Sequence, residues 1–134
     1  MTQSMPQRHW TAWLPALLMA TTVFVLSSIP GQRIPVSLAH GLDKVAHASI
    51  YSVLGLTVAL GLHRGRGMGS RAAVIVATVV IGALYGATDE VHQLFTPHRS
   101  FEALDGLADT IGSLIGALLY VGWWSAKDKR KDGG

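Results

Sequence analysis

No cysteine occurs in the chain, so disulfides and thiolate sites are excluded and the redox compartment stays open. Charge is also scarce. Asp, Glu, Lys and Arg make up 14% of the 134 residues, about half the share usual in soluble domains. Aspartates with histidine can bind a divalent ion, but no HExxH or comparable ligand spacing is present, so no metal is assigned. A glycine-rich phosphate loop is missing too, and neither Ser49 nor Ser100 stands in a triad-like context. A nucleic-acid binder would spread its basic residues over a soluble face. Here they fall in short segments between apolar runs, so no nucleic-acid partner is expected.

What is present is apolar and clumped. Hydrophobic residues make up 49% of the chain and gather in four runs. The first spans Trp10 to Ile29, the second about Val45 to Leu62, and the fourth about Ala103 to Trp124. The third starts near Ala72, is apolar to Ala87, and reaches bilayer length only if Thr88 to Leu94 continue the same helix. About 20 helical residues cross a hydrocarbon core of about 30 Å. One such run would fit a buried helix of a soluble protein; four filling most of the chain do not. The fold class expected is all-α, a polytopic membrane protein with a four-transmembrane-helix bundle. Its parts are a tail over 1–9, the helical domain over 10–126 and a basic tail over 127–134. Arg8 before an apolar stretch also fits a signal peptide. The stretch is long for one, and Ser27-Ser28-Ile29-Pro30 offers no clean cleavage site, so a retained helix is expected.

Lysine and arginine orient the bundle. With four spans, eight of them (Arg8, Arg64, Arg66, Arg71, Lys127, Lys129, Arg130 and Lys131) share one side, and Arg33, Lys44 and Arg99 the other. The positive-inside rule then puts both termini in the cytoplasm. Trp10, Trp13, Trp123 and Trp124 fall near the cytoplasmic ends, where interfacial anchors belong. Pro30 and Pro35 bound the first outer loop, and Thr96-Pro97-His98-Arg99 forms the second. Ser100 is expected to cap the fourth helix. Gly65, Gly67 and Gly69 loosen the inner loop, and the tail from Lys127 is expected to be mobile near anionic headgroups. Gly82 and Gly86, and Gly112 and Gly116, are spaced four apart. That spacing lets helices approach closely in lipid. It fits dimerisation, hence a homo-oligomer, and fits packing within one bundle better.

The acids are uneven. Asp43, Asp89, Glu90, Glu102, Asp105 and Asp109 are outer; only Asp128 and Asp132 are inner. His40, His47, His92 and His98 are outer as well. Four-residue spacing puts Asp43, His47 and Tyr51 on one face of helix 2, Asp89 and Gln93 on one face of helix 3, and Asp105 and Asp109 on one face of helix 4. The last face continues into Gly112 and Gly116, so both aspartates should face protein. Carboxylates within a membrane pair or line a wet cavity, and Lys44 and Arg99 are the cations in reach. The expected site is therefore Asp43, Lys44, His47, Tyr51, Asp89, Glu90, Gln93, Arg99, Asp105 and Asp109. Such a cluster serves equally as a clasp that only joins the helices. Glu102, His92 and His98 fit wetted interfacial residues.

These residues carry a resemblance. Ser28-Ile29-Pro30-Gly31, then DKxxHxxxY over Asp43 to Tyr51 with Leu54 and Gly55, then ExxQxFxPxR over Glu90 to Arg99, then DxxxDxxG over Asp105 to Gly112 with Gly116, resemble the VanZ-like family of bacterial membrane proteins. The likeness covers about residues 25–120. At Asp109 the family often has asparagine, so this chain carries an additional carboxylate. The resemblance implies a multi-pass protein of the bacterial inner (cytoplasmic) membrane, and its namesake is associated with low-level resistance to the glycopeptide teicoplanin. Nothing here resembles an acyl-phosphate or coenzyme A site, so the phosphotransbutyrylase label of some members does not transfer and no cofactor is expected. Three functions remain open. The cluster binds or modulates an envelope component, with membrane lipid, a lipid-linked precursor or a lipoglycopeptide as partner. Alternatively it is a hydrolase or transferase on a lipid-linked substrate, with Glu90 or Asp105 as general base and His47 moving protons. In the third case it is a structural subunit.

Overall fold

The computed structural model describes residues 9–33 and 41–134. Arg8, Pro35 and His40, which enter the charge and loop readings, lie outside the described residues. The described chain is helical, with no strand. α1 (Leu14–Ser27) follows a 3-10 turn over Trp10–Trp13. α2 (Leu42–Leu60) runs on through a wider π-type turn over Gly61–Gly65. α3 is Arg71–Gln93 and α4 is Ala103–Asp132. Four helices are long and apolar enough to cross a membrane, with 18, 24, 23 and 30 residues and mean hydropathy between 1.4 and 1.8. The chain is a membrane protein.

Residue chemistry explains the ends. α3 continues through Thr88 to Gln93, as bilayer length requires, and starts where Ser70 Oγ accepts the Ala73 N–H at 3.2 Å. α4 departs from expectation at both ends. Ser100 does not cap it. Glu102 occupies the capping position without a side-chain capping bond, and Glu90 of α3 accepts the Glu102 N–H at 2.9 Å. A carboxylate from a neighbouring helix thus meets the electropositive end of α4. At the other end the basic tail is helical to Asp132. Ala126, Lys127, Lys129, Arg130 and Lys131 are good helix formers, and their charges suit a helix C-terminus.

The bundle carries its large apolar side chains outward. Leu17, Leu18, Phe24, Val76, Leu84, Leu118 and others are exposed, as a lipid-facing surface requires. The interior is small and partly polar. α2 and α4 make the most extensive contact, and α4 also packs along α3. The close approach rests on glycine. A Cβ on Gly112 would overlap the Ala48 carbonyl, and one on Gly116 would overlap the Ser52 carbonyl and the Leu56 amide. Gly82 and Gly86 meet Ser113 and Asp109 of α4. The small-residue spacing is therefore used within the bundle.

The basic end is closed by aromatic contacts. Trp13 covers Gly61 and Gly65, where a Cβ would lie 2.6 and 2.5 Å from its ring. His63 stacks on Trp124 with centroids 3.6 Å apart and meets the Tyr120 hydroxyl at 2.9 Å. Arg71 lies over Trp124 and pairs with Asp128 at 2.8 Å. Trp10 and Trp123 are exposed as interfacial anchors should be; Trp124 is buried and serves packing instead.

Gly116→Ala should lower the melting temperature of the detergent-solubilised protein, because overpacking of this kind costs about 1–3 kcal/mol. Gly122→Ala should be tolerated, since a Cβ there meets nothing within 4 Å. Equal melting temperatures for the two variants would contradict the α2–α4 packing.

Candidate functional site

The end of the bundle opposite the aromatic closure collects the acids. Lys44, on the first turn of α2, holds three carboxylates. Its Nζ lies 2.6 Å from Asp43 Oδ2, 2.5 Å from Glu102 Oε2 and 2.6 Å from Asp105 Oδ1. One turn further along α2, His47 Nδ1 is 2.8 Å from Asp109 Oδ1, and its Nε2 is 3.7 Å from Asp105 Oδ2. The first contact is a hydrogen bond; the second is too long for one. With a carboxylate on Nδ1 that nitrogen is the N–H donor, and Nε2 is turned toward Asp105.

The acids lie deep. Asp109 is fully buried, Glu90 is 1% exposed, and Asp89 and Asp105 are buried as well, with Tyr51 and Gln93 beside them. Several polar atoms here have no protein hydrogen bond: Tyr51 Oη, Glu90 Oε1, Asp109 Oδ2, Asp43 Oδ1 and Asp105 Oδ1, the last an ion-pair contact of Lys44. A buried polar atom normally has a partner, and each exception calls for an explanation.

Beside the cluster, α1, α2 and α3 border a half-open cavity of about 270 Å³. Val23, Leu26 and Ile29 form its apolar wall. Asp43, His47 and Tyr51 face it from α2, and Asp89 and Gln93 from α3. Arg33 and Arg99 complete the lining. Neither guanidinium pairs with a carboxylate among the described residues. Arg99 Nε donates to the Ile29 carbonyl at 3.2 Å and Nη2 to that of Leu26 at 3.5 Å, which satisfies carbonyls at the end of α1.

All ten residues expected from the sequence thus gather as an acid–histidine cluster and the cavity wall beside it, with Arg99 on the wall and outside the ion pairs. Glu102 is more than a wetted residue, since it is one of the three Lys44 partners. His92 Nε2 meets Ser28 Oγ at 3.0 Å and its ring lies 4.7 Å from that of Phe24, so it ties α3 to α1. His98 is exposed and adopts φ 59°, and takes no part. Arg33 is not among the residues expected from the sequence: it is one of three basic residues on the acidic side, but linear spacing does not bring it to α2 and α3.

Arg33 and Arg99 give the cavity cationic lining, Asp43 and Asp89 anionic lining, and Val23, Leu26 and Ile29 an apolar side. Guanidinium is suited to phosphate and carboxylate because its planar N–H pairs match their oxygens. Lys44 is already committed to its three acids.

Lys44→Met should lower stability by about 1–3 kcal/mol. That is less than the 3–5 kcal/mol of a fully buried pair, because the Lys44 and Glu102 side chains are 28% and 47% exposed. Adding Asp105→Asn should recover part of the loss. Thermal unfolding in detergent measures both, and a double variant no better than the single one would show that Lys44 does not act by neutralising Asp105.

A family model described as VanZ/LLP1 matches residues 2–125. No curated protein and no solved structure matches the chain.

Proposed function

The chain belongs to the VanZ/LLP1 family, and on that premise we propose that it binds or modulates an anionic component of the bacterial envelope through the cavity at its acidic end. The observation that carries this reading is the pair of arginines, Arg33 and Arg99, on a cavity whose other wall is the apolar face of Val23, Leu26 and Ile29. Phosphate or carboxylate meets the guanidiniums, and an acyl or prenyl chain lies along α1. Gln93 supplies a polar contact beside them through its amide. A lipid headgroup, a lipid-linked precursor and a lipoglycopeptide all present this combination, and altered teicoplanin susceptibility is one consequence of engaging them.

In this reading the protein sits in the cytoplasmic membrane with both termini inside and the acidic end outside. Basic residues support that orientation. The side with the termini carries eight lysines and arginines, the other three. Because the chain has no cysteine, a single introduced one reports topology. Ser100→Cys should react with a membrane-impermeant maleimide in intact cells, and Gly134→Cys only after lysis. The reverse pattern would turn the bundle over and remove the envelope reading.

Ligand contact is tested on purified protein by native mass spectrometry with phosphatidylglycerol and a polyprenyl phosphate, using phosphatidylcholine as control. Arg33→Ala combined with Arg99→Ala should weaken binding of the anionic lipids at least about 10-fold, since a charge-assisted bond contributes about 1.5–3 kcal/mol. In cells, the same variant at normal protein level should change teicoplanin susceptibility if the wild type confers any. Loss of protein level in step with phenotype would instead make this end a clasp.

A further inference from the structure

At the acidic end, a donor atom each from His47, Glu90 and Asp105 lie within 4.8 Å of one another. The three residues come from α2, α3 and α4. In each, one polar atom is held by the protein and the other is not. His47 Nδ1 is bound by Asp109, which leaves Nε2. Glu90 Oε2 accepts the Glu102 N–H, and Oε1 is buried without a protein partner. Asp105 Oδ1 forms an ion pair with Lys44 at 2.6 Å, without hydrogen-bond geometry, and Oδ2 faces His47 Nε2 at 3.7 Å. That distance is too long for a hydrogen bond and near the separation of about 3–3.5 Å between two atoms that ligate one cation at about 2.0–2.2 Å.

We infer that His47 Nε2, Glu90 and Asp105 form a binding site for one divalent cation. The neighbouring groups are those such a site requires. A ligating histidine almost always donates its other N–H to a carboxylate or carbonyl, which fixes its tautomer and ring; Asp109 does this for His47. Lys44 and the Glu102 amide fix the two carboxylates in the same way. Charge points in the same direction. Asp89, Glu90 and Asp109 are buried with no lysine or arginine partner among the described residues, while Lys44 is shared by three acids. Uncompensated carboxylates at membrane depth are costly, and a divalent cation offsets two of them. One imidazole with two carboxylates suits Zn²⁺ or Mn²⁺ better than Ca²⁺ or Mg²⁺, which favour all-oxygen sites. Linear spacing gives no hint of this site because each ligand comes from a different helix. The inference does not depend on anionic lipid binding, although His47 also lines the cavity.

The test uses the full-length protein in detergent, stripped with chelator and titrated with Zn²⁺ or Mn²⁺ by calorimetry, with elemental analysis for stoichiometry and a melting curve. One ion per chain and a raised melting temperature are expected. Glu90→Gln should weaken binding at least 100-fold, and Asp109→Asn by 10–100-fold. Asp128→Asn, at the opposite end, should bind as the wild type does. Gel filtration and circular dichroism check that each variant is folded, and Asp105→Asn replaces Glu90→Gln if the latter is not. No ion bound by the wild type would overturn the inference. So would unchanged binding in folded Glu90→Gln, or binding abolished by Asp89→Asn but kept in Glu90→Gln, which would move the ion to the other side of His47. Failure of lipid binding in the arginine variants leaves this result untouched.

Discussion

One ammonium group, that of Lys44, sets the arrangement of the acidic end. It draws Asp43 of its own helix, Glu102 before α4 and Asp105 within α4 to a single point. Hydrocarbon offers a carboxylate no hydration, so the acids of three helices must find partners in one another's neighbourhood or remain at the interface. The consequence is geometric. Once Lys44 holds Asp105, the next turn of α4 brings Asp109 to His47, and the start of α4 comes within reach of Glu90. The electrostatic requirement therefore also determines where α4 begins.

That arrangement is available only because the backbones come close. A pair of helices separated by leucines stands 8–10 Å apart, and short side chains such as aspartate would not bridge to a histidine across it together with a lysine. The Gly112 and Gly116 stripe removes the spacer on α4 where it meets Ala48 and Ser52, and Gly86 removes it on α3 beside Asp109. Without a hydrophobic drive between helices in lipid, close packing and interhelical hydrogen bonds hold the bundle. Glycine stripe and polar cluster act as one device, the first permitting the distances that the second requires.

Much of this is legible in the sequence, and the boundary of what is legible has a physical cause. The 3.6-residue period places residues on a face, so Asp43, His47 and Tyr51, or Asp105, Asp109 and Gly112, could be grouped correctly without coordinates. Bilayer thickness required α3 to include Asp89 to Gln93, and it does. What periodicity cannot supply is the rotation and crossing of one helix against another. It gave no means of seeing that Glu90 caps α4 in place of Ser100, that Arg99 turns to the carbonyls of α1, or that Trp124 lies under His63 and Arg71 while Trp123 remains outside. Arg33 was counted as a charge but not placed on the cavity, because its position depends on where the loop after α1 turns.

The two ends of the bundle provide an internal comparison on whether the polar cluster is only a clasp. At the basic end, His63 bonds Tyr120 and stacks on Trp124, and Arg71 pairs with Asp128 and covers the same ring. None of His63, Arg71, Tyr120 and Trp124 leaves a buried side-chain polar atom unpaired, and the unpaired Thr78 Oγ1 lies deeper along α3. That is how this chain closes a helix end when nothing else is asked of it. The acidic end is built differently. It buries four carboxylates, leaves Tyr51 Oη, Glu90 Oε1 and Asp109 Oδ2 without protein partners, and adjoins a cavity lined by two arginines free of ion pairs among the described residues. A clasp gains nothing from unpaired buried oxygens, each of which costs about 1–3 kcal/mol. An apolar or fully paired closure, of the kind the same chain makes at its other end, would hold the helices at lower cost. The unpaired atoms are what the two proposals rest on, and their signs separate them: oxygens and an imidazole nitrogen toward a cation, guanidiniums toward an anion.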